Sequence, residues 1–179
     1  MRFFLLPVCA GLLACTVQGL AAQNAPAQNT SSTPAACQTA TTLDDLPKVL
    51  DAAIGGPANR DRTCLRQVML PQARLSPMRK EDNGSFAPRL LSVDDWINAV
   101  AKRGNDAFYE VQVKVKTETY GHFAHLWSTY EIRPTPDGKP EMTGINSIQA
   151  VFDGTQWRVL SILWEPNSTA GPVPEKYLP

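Results

Sequence analysis

An excess of charge of either sign is missing from this chain. Lys and Arg total 17, Asp and Glu total 17, and the formal net charge over 179 residues is zero. Binding nucleic acid needs a basic stripe that neutralises phosphates, and none is present. There is no polybasic segment for anionic lipid either. Beyond the N-terminus no apolar run approaches the roughly 20 residues that a membrane-spanning helix requires. Histidine is scarce: His122 and His125 are the only two, and their spacing puts them on opposite faces of one strand, so they do not share a metal. G-x-S-x-G, H-E-x-x-H and a phosphate-binding glycine loop are all absent, which leaves acyl and phosphoryl transfer without support. Neither a metal site nor a cofactor is expected.

The apolar run that does exist opens the chain. Arg2 forms a minimal basic region and residues 3–13 an apolar core too short for a comfortable span. Residues 1–22 therefore read as a secretory signal peptide. Two exits follow. Cleavage after Ala21 or Ala22 would release a periplasmic or secreted protein. Alternatively, Leu12-Leu13-Ala14-Cys15 is similar to a lipobox, in which Cys15 is acylated and anchors the protein in the cell envelope. Residues 23–41, QNAPAQNTSSTPAACQTAT, hold no charge and no bulky apolar side chain. They cannot bury enough surface to offset their ordering entropy and read as a disordered spacer.

Four cysteines are present. Cys9, and Cys15 unless it is lipidated, leave with the signal, so Cys37 and Cys64 remain. A pair in an oxidising compartment suggests a disulfide. It would close a loop of roughly 28 residues, worth about 3–4 kcal/mol in the chain-entropy account. A metal or redox pair is the weaker reading, since there is no C-x-x-C and no third ligand nearby.

Residues 42–165 carry the periodic patterns of one folded domain. Leu46, Val49, Leu50, Ala53 and Ile54 fall at helical spacing between Thr42, an N-cap candidate, and Gly55-Gly56-Pro57. A second helix is expected over residues 60–70, ended by Pro71, with a short strand over 73–78 and a polar loop over 79–87. A third helix opens on Ser92 and Asp95, at capping-box spacing, and presents Val93, Trp96, Ile97 and Val100; Gly104 is its expected C-terminal cap. From Phe108 the period changes to two. Strands are expected from Tyr109 and over 122–133, 144–152 and 156–165, with Asp153-Gly154 as a hairpin signal. Residues 166–179 form a Pro-rich tail expected to lack regular structure. Helices first and an antiparallel meander after is an α+β layout.

The stretches GPANRDRTCLRQVMLPQARL, SVDDWINAV, GHFAHLWSTYEIR, GINSIQAVFDG and WRVLSILWE resemble the nuclear transport factor 2-like superfamily. The resemblance implies a cone, or cystatin-like α+β roll, with N-terminal helices packed in the concave face of a strongly curved antiparallel sheet. Members include ketosteroid isomerase, polyketide cyclases, a dehydratase, an epoxide hydrolase and many non-catalytic binding modules, so the fold alone fixes no function.

Strand alternation separates two faces. A turn at Thr119-Tyr120 would set Val115, Val113, Val111 and Tyr109 opposite Ala124, Leu126, Ser128 and Tyr130. A hairpin centred near Gly138 would set Tyr130 opposite Asn146 and Ser128 opposite Ile148. Both registers gather one apolar face with a polar corner at Tyr109, Ser128, Tyr130 and Asn146, which with Trp96 of the third helix are the candidate ligand-binding residues. The opposite face carries Glu110, Gln112, Lys114, His125, Trp127, Thr129, Glu131, Ser147 and Gln149. The resemblance implies a homodimer through that face, with His125, Trp127, Thr129, Ser147 and Gln149 as contacts. No carboxylate is expected on the inner sheet face, and Asp94 and Asp95 are explained by the helix N-terminus. The leading expectation is an exported module that binds a small hydrophobic ligand. An isomerase, dehydratase or cyclase acting in the same cone, and a non-catalytic partner in an envelope assembly, are the alternatives.

Overall fold

The computed structural model describes residues 36–179. The expected signal peptide, Cys15 and the spacer up to residue 35 lie outside the described residues. The described unit is α+β. Helix α1 spans Leu46–Ile54, α2 Leu65–Val68 and α3 Val93–Ala101. The strands are β1 Met69–Lys80, β2 Phe86–Pro88, β3 Tyr109–Tyr120, β4 Phe123–Arg133, β5 Met142–Phe152 and β6 Trp157–Pro166. They form one sheet in the order β2-β1-β6-β5-β4-β3.

Four of the five pairings are antiparallel, as expected; β1 lies parallel to β6. That parallel neighbour is the first departure from a pure meander. The chain comes out of α2 directly into the sheet, and α3 with the β1–β2 hairpin supplies the long connection before β3. Helix α2 is shorter than expected at both ends: residues 60–62 have no regular structure, and the chain is already extended at Met69. Pro71 and Pro77 both lie inside β1, so Pro71 does not end a helix there. The segment expected as a loop over 79–87 closes a hairpin instead, with Arg79 opposite Ala87.

The capping box expected at the start of α3 is present. Ser92 accepts from the Asp95 backbone N–H at 3.1 Å, and the Asp95 side chain accepts from Ser92 N–H at 3.0 Å. The C-cap is Lys102, two residues before Gly104. At the last hairpin Gly154 takes φ +101°, a conformation that favours glycine, and Asp153 accepts from the Thr155 and Gln156 N–H groups. The tail is less irregular than expected, with a helical turn at Asn167–Ala170 (α4) and a 3-10 turn at Glu175–Tyr177.

One apolar cluster joins the helices to the sheet. Leu46, Val49 and Leu50 of α1 and Trp96 of α3 pack with Leu126, Ile148, Ala150 and Val159. The end of the expected spacer joins this unit: Ala40 is buried and its carbonyl accepts from Trp157 N–H at 2.8 Å. Cys37 and Cys64 form the expected disulfide, with Cα atoms 5.3 Å apart. Arg62, only 4% exposed, caps the C-terminal end of α1 by donating from Nε to the Ile54 carbonyl at 2.8 Å and from Nη2 to the Gly56 carbonyl at 3.3 Å. A charge-assisted contact with otherwise open helix carbonyls compensates the burial of this guanidinium.

Candidate functional site

The register of β3 decides what the inner face carries. The β3–β4 turn falls at Gly121-His122, so Val115 lies opposite Ser128 and Thr119 opposite Ala124. In that half of the strand the expected face assignment survives a shifted register. At Val113 the ladder slips by one residue, and Gln112 lies opposite Tyr130 and Glu110 opposite Ile132. A bulge leaves one residue unmatched and reverses the side-chain parity beyond it. Glu110 and Gln112, expected outside, therefore turn inward. Tyr109, expected in the pocket, pairs with Arg133 on the outer side and does not line the cavity. The β4–β5 register keeps its face assignment but shifts by two: Ser128 lies opposite Asn146, and Tyr130 opposite Gly144.

The bulge is tied to α1. The Gln112 backbone N–H donates to Asp51 Oδ2 at 3.0 Å. Gln112 Nε2 donates to Glu110 Oε1 at 3.1 Å, and Asn146 Nδ2 donates to the same oxygen at 3.1 Å and to Gln112 Oε1 at 3.2 Å. The Ser128 hydroxyl donates to Gln112 Oε1. Of the expected candidates, Ser128 and Asn146 are thus buried supports beneath the cavity rather than parts of its wall.

Burial pushes the Glu110 carboxyl up to about 7, with the nearby Asp51 adding to the rise and the donors Asn146 and Gln112 opposing it. Burial likewise pushes Asp51 up to about 6 against the Gln112 N–H bond, and Asp51 Oδ1 is buried without a hydrogen-bond partner. The Tyr130 phenol is raised by burial and then by Glu110. The structure thus brings a carboxyl that titrates near neutrality to the place where none was expected.

Glu110 and Tyr130 form the polar inner end of a cavity of about 600 Å³. Its walls are mainly apolar, built by Trp96 and Val100 of α3, Phe108, Ile132, Met142 and Trp164. Trp96 and Phe108 meet edge-to-face with ring centroids 6.0 Å apart. Trp96 and Tyr130 are the two expected pocket residues that line it. The Tyr130 hydroxyl has no hydrogen-bond partner among the described residues. Its ring stands directly over Gly144, where a Cβ would come within 2.5 Å of the hydroxyl oxygen. Glycine at that position is what leaves room for the phenol.

On the outer face, His125 and Ser147 share a hydrogen bond at 3.0 Å. The C-terminal tail lies over Trp127 and Thr129: Thr129 Oγ1 donates to the Tyr177 carbonyl at 2.5 Å, and the Trp127 and Tyr177 rings stand 5.9 Å apart. Trp127 is therefore half-buried by its own chain. Asp94 pairs with Arg66 at 2.8 Å, and Asp95 is held in the helix cap. The described residues contain no group of three or more His, Cys, Asp or Glu side chains placed to hold a metal ion.

No family model matches the chain, and no curated protein matches it by sequence. Among solved structures it is similar to an NTF2-like protein of unknown function from Silicibacter pomeroyi, at 16% identity and TM-score 0.48 over 69% of this chain and 92% of that one. A protein of unknown function with a cystatin-like fold from Nostoc punctiforme aligns at 12% identity and TM-score 0.48, over 74% and 97% of the two chains. A proposed ketosteroid isomerase from Shewanella frigidimarina aligns at 12% identity and TM-score 0.44, over 67% and 91%. These are likenesses of fold, and no residue role is carried over from them.

Proposed function

We propose that this is an exported domain that binds a small, largely apolar molecule in the cavity between α3 and the inner sheet face. The supporting observation is the cavity: about 600 Å³, apolar along its walls, with Glu110 and Tyr130 at its inner end. That volume lies in the range of drug-sized ligand sites, roughly 300–1,000 Å³. Export rests on the expected signal over residues 1–22, and the Cys37–Cys64 disulfide is compatible with a non-cytoplasmic protein. No helix of the described residues is long and apolar enough to cross a membrane. Acylation at Cys15 remains the alternative exit, which intact-mass analysis of the mature N-terminus decides. Self-association through His125, Trp127, Thr129, Ser147 and Gln149 is the expected oligomeric state; the tail covers Trp127 and Thr129, which leaves His125, Ser147 and Gln149 as the contacts to test by sedimentation. A purely structural role would suit a closed, featureless interior, which this is not.

The test of binding needs no known ligand. In a thermal-shift screen of hydrophobic metabolites, some compounds should raise the melting temperature of the wild type, and Tyr130→Phe should lose that shift. The unliganded variant should melt within a few degrees of wild type, because the ring still fills its space and its hydroxyl has no partner to orphan. A wild type with no responding compound, together with a clearly destabilised Tyr130→Phe, would remove the support for a binding site.

The Glu110 carboxyl favours a second reading, an isomerase or dehydratase acting in the same cavity. A general base works best when it titrates near the working pH. As carboxylate, Glu110 can take a proton from the carbon beside a ligand carbonyl while the bond's electron pair moves onto the carbonyl oxygen. The Tyr130 hydroxyl then donates to that oxygen. Return of the proton from Glu110 to a different carbon gives isomerisation, and its transfer to a departing β-hydroxyl, which leaves as water, gives dehydration. In D₂O, wild type should speed deuterium uptake next to the carbonyl of a bound cyclic ketone, with a rate that rises through pH about 7. Glu110→Gln should bind without exchanging. Equal exchange by both proteins would leave binding as the function.

A further inference from the structure

The walls and inner end of the cavity leave its mouth unexplained. Four cationic side chains line that mouth: Arg79 and Lys80 at the end of β1, Arg89 just after β2, and Arg103 just after α3. All four residues are exposed, whereas Tyr130 is buried and Glu110 half-buried, so the cations ring the outer end. None of them takes part in an ion pair among the described residues. Arg103 lies 5.2 Å from the centroid of the Phe108 ring, a contact that orients the guanidinium without cancelling its charge. Asp95 is close enough to feel Arg89, but its carboxylate is engaged by Ser92 in the α3 cap. Glu110 is the one carboxyl that lines the cavity, and it is half-buried where the four cations are exposed. The whole chain has no net charge, so this convergence from three separate elements is not a matter of composition. Like charges gathered over an apolar well focus a field that draws in an anion, and guanidinium groups match carboxylate and phosphate oxygens.

We propose that the ligand of this cavity is an anionic amphiphile, with an apolar body against Trp96 and Phe108 and one carboxylate, sulfonate or phosphate held at the mouth by Arg79, Arg89 and Arg103. This rests on the cavity being a ligand site.

Two fluorescent probes that share one ring skeleton test this on the full chain. 1-Anilinonaphthalene-8-sulfonate carries the anion, and N-phenyl-1-naphthylamine lacks it. The double variant Arg89→Ser/Arg103→Ser should weaken the sulfonate roughly tenfold and leave the neutral probe unchanged, and added salt should weaken only the sulfonate. Ala99→Trp, which fills the cavity from α3, should remove both probes. Arg79→Ser alone, expected to weaken the sulfonate several-fold, serves if the double variant does not fold. Unchanged sulfonate affinity in the arginine variants, or an equal loss of both probes, overturns the anionic ligand. In the first case, Ala99→Trp still displacing the neutral probe leaves the cavity reading standing. If wild type binds neither probe, or Ala99→Trp binds both as wild type does, both readings fall.

Discussion

The two halves of β3 look alike in sequence and differ in fate. Glu110, Gln112, Lys114 and Lys116 occupy one parity of the same alternating strand. Beyond Val113 the pattern does what alternation implies: Lys114 and Lys116 are exposed on the outer face. Before Val113 the slip in the ladder turns Glu110 and Gln112 inward, where Asn146, Ser128 and Asp51 receive them. A single unmatched residue thus separates a solvated pair from a buried acid, and the chemistry of the inner pair comes from its surroundings rather than from its residue type.

The largest effect should come from neutralising the inner acid. A carboxyl whose folded-state pKa is raised stabilises the protein below its unfolded value and loses that contribution as pH climbs through the folded value. Glu110 rises from an ordinary value of 4.5 to about 7, so wild-type stability should fall between those pH values and level off above. Asp51 adds a loss of the same sign between 3.8 and about 6. Both donors to Glu110 use Oε1, an oxygen that glutamine can keep. Glu110→Gln should therefore match wild type near pH 4 and exceed it by about 3 kcal/mol near pH 8. Urea unfolding at the two pH values checks this, and no gain at pH 8 would mean that the acid is not held in a desolvated site.

Next in size is Asn146→Ala. It removes the donor shared by Glu110 and Gln112 and should cost about 2 kcal/mol through under-satisfied buried acceptors, read as a lower denaturation midpoint. A neutral result would show that water replaces the amide. The smallest effect belongs to the outer half. Lys116→Gln, which breaks a 3.2 Å pair with Glu118 between side chains about 70% exposed, should change stability by less than about 0.5 kcal/mol. A cost comparable to Asn146→Ala would erase the contrast between the halves.

The contrast also shows what local pattern can carry. The α3 capping box, the Asp153-Gly154 turn, the cysteine pair and the inward set Ala124, Leu126, Ser128 and Tyr130 were all legible, because each depends on neighbours in sequence or on strict alternation. The inward turn of Glu110 was not, since nothing local marks Val113 as a bulge: the side chain that holds the Gln112 N–H is Asp51, on a helix many residues earlier. Arg62 reads as a surface cation and becomes a buried cap only once the chain end of α1 lies beside it. Pro71 reads as the end of a helix and lies instead inside β1, because the parallel pairing with β6 depends on a segment that follows much later. The arginines of the mouth stand at scattered positions in the sequence, and only the tertiary fold makes them neighbours.

The docking of the tail makes the last residues an internal reporter. The Tyr177 and Leu178 carbonyls accept hydrogen bonds from Thr129 and Lys114, and Tyr177 covers the Trp127 indole. These contacts can form only after the chain has been synthesised through Leu178 and β3 has paired with β4. The emission of Trp127 should therefore distinguish protein that keeps Tyr177 on the sheet from protein cut before it.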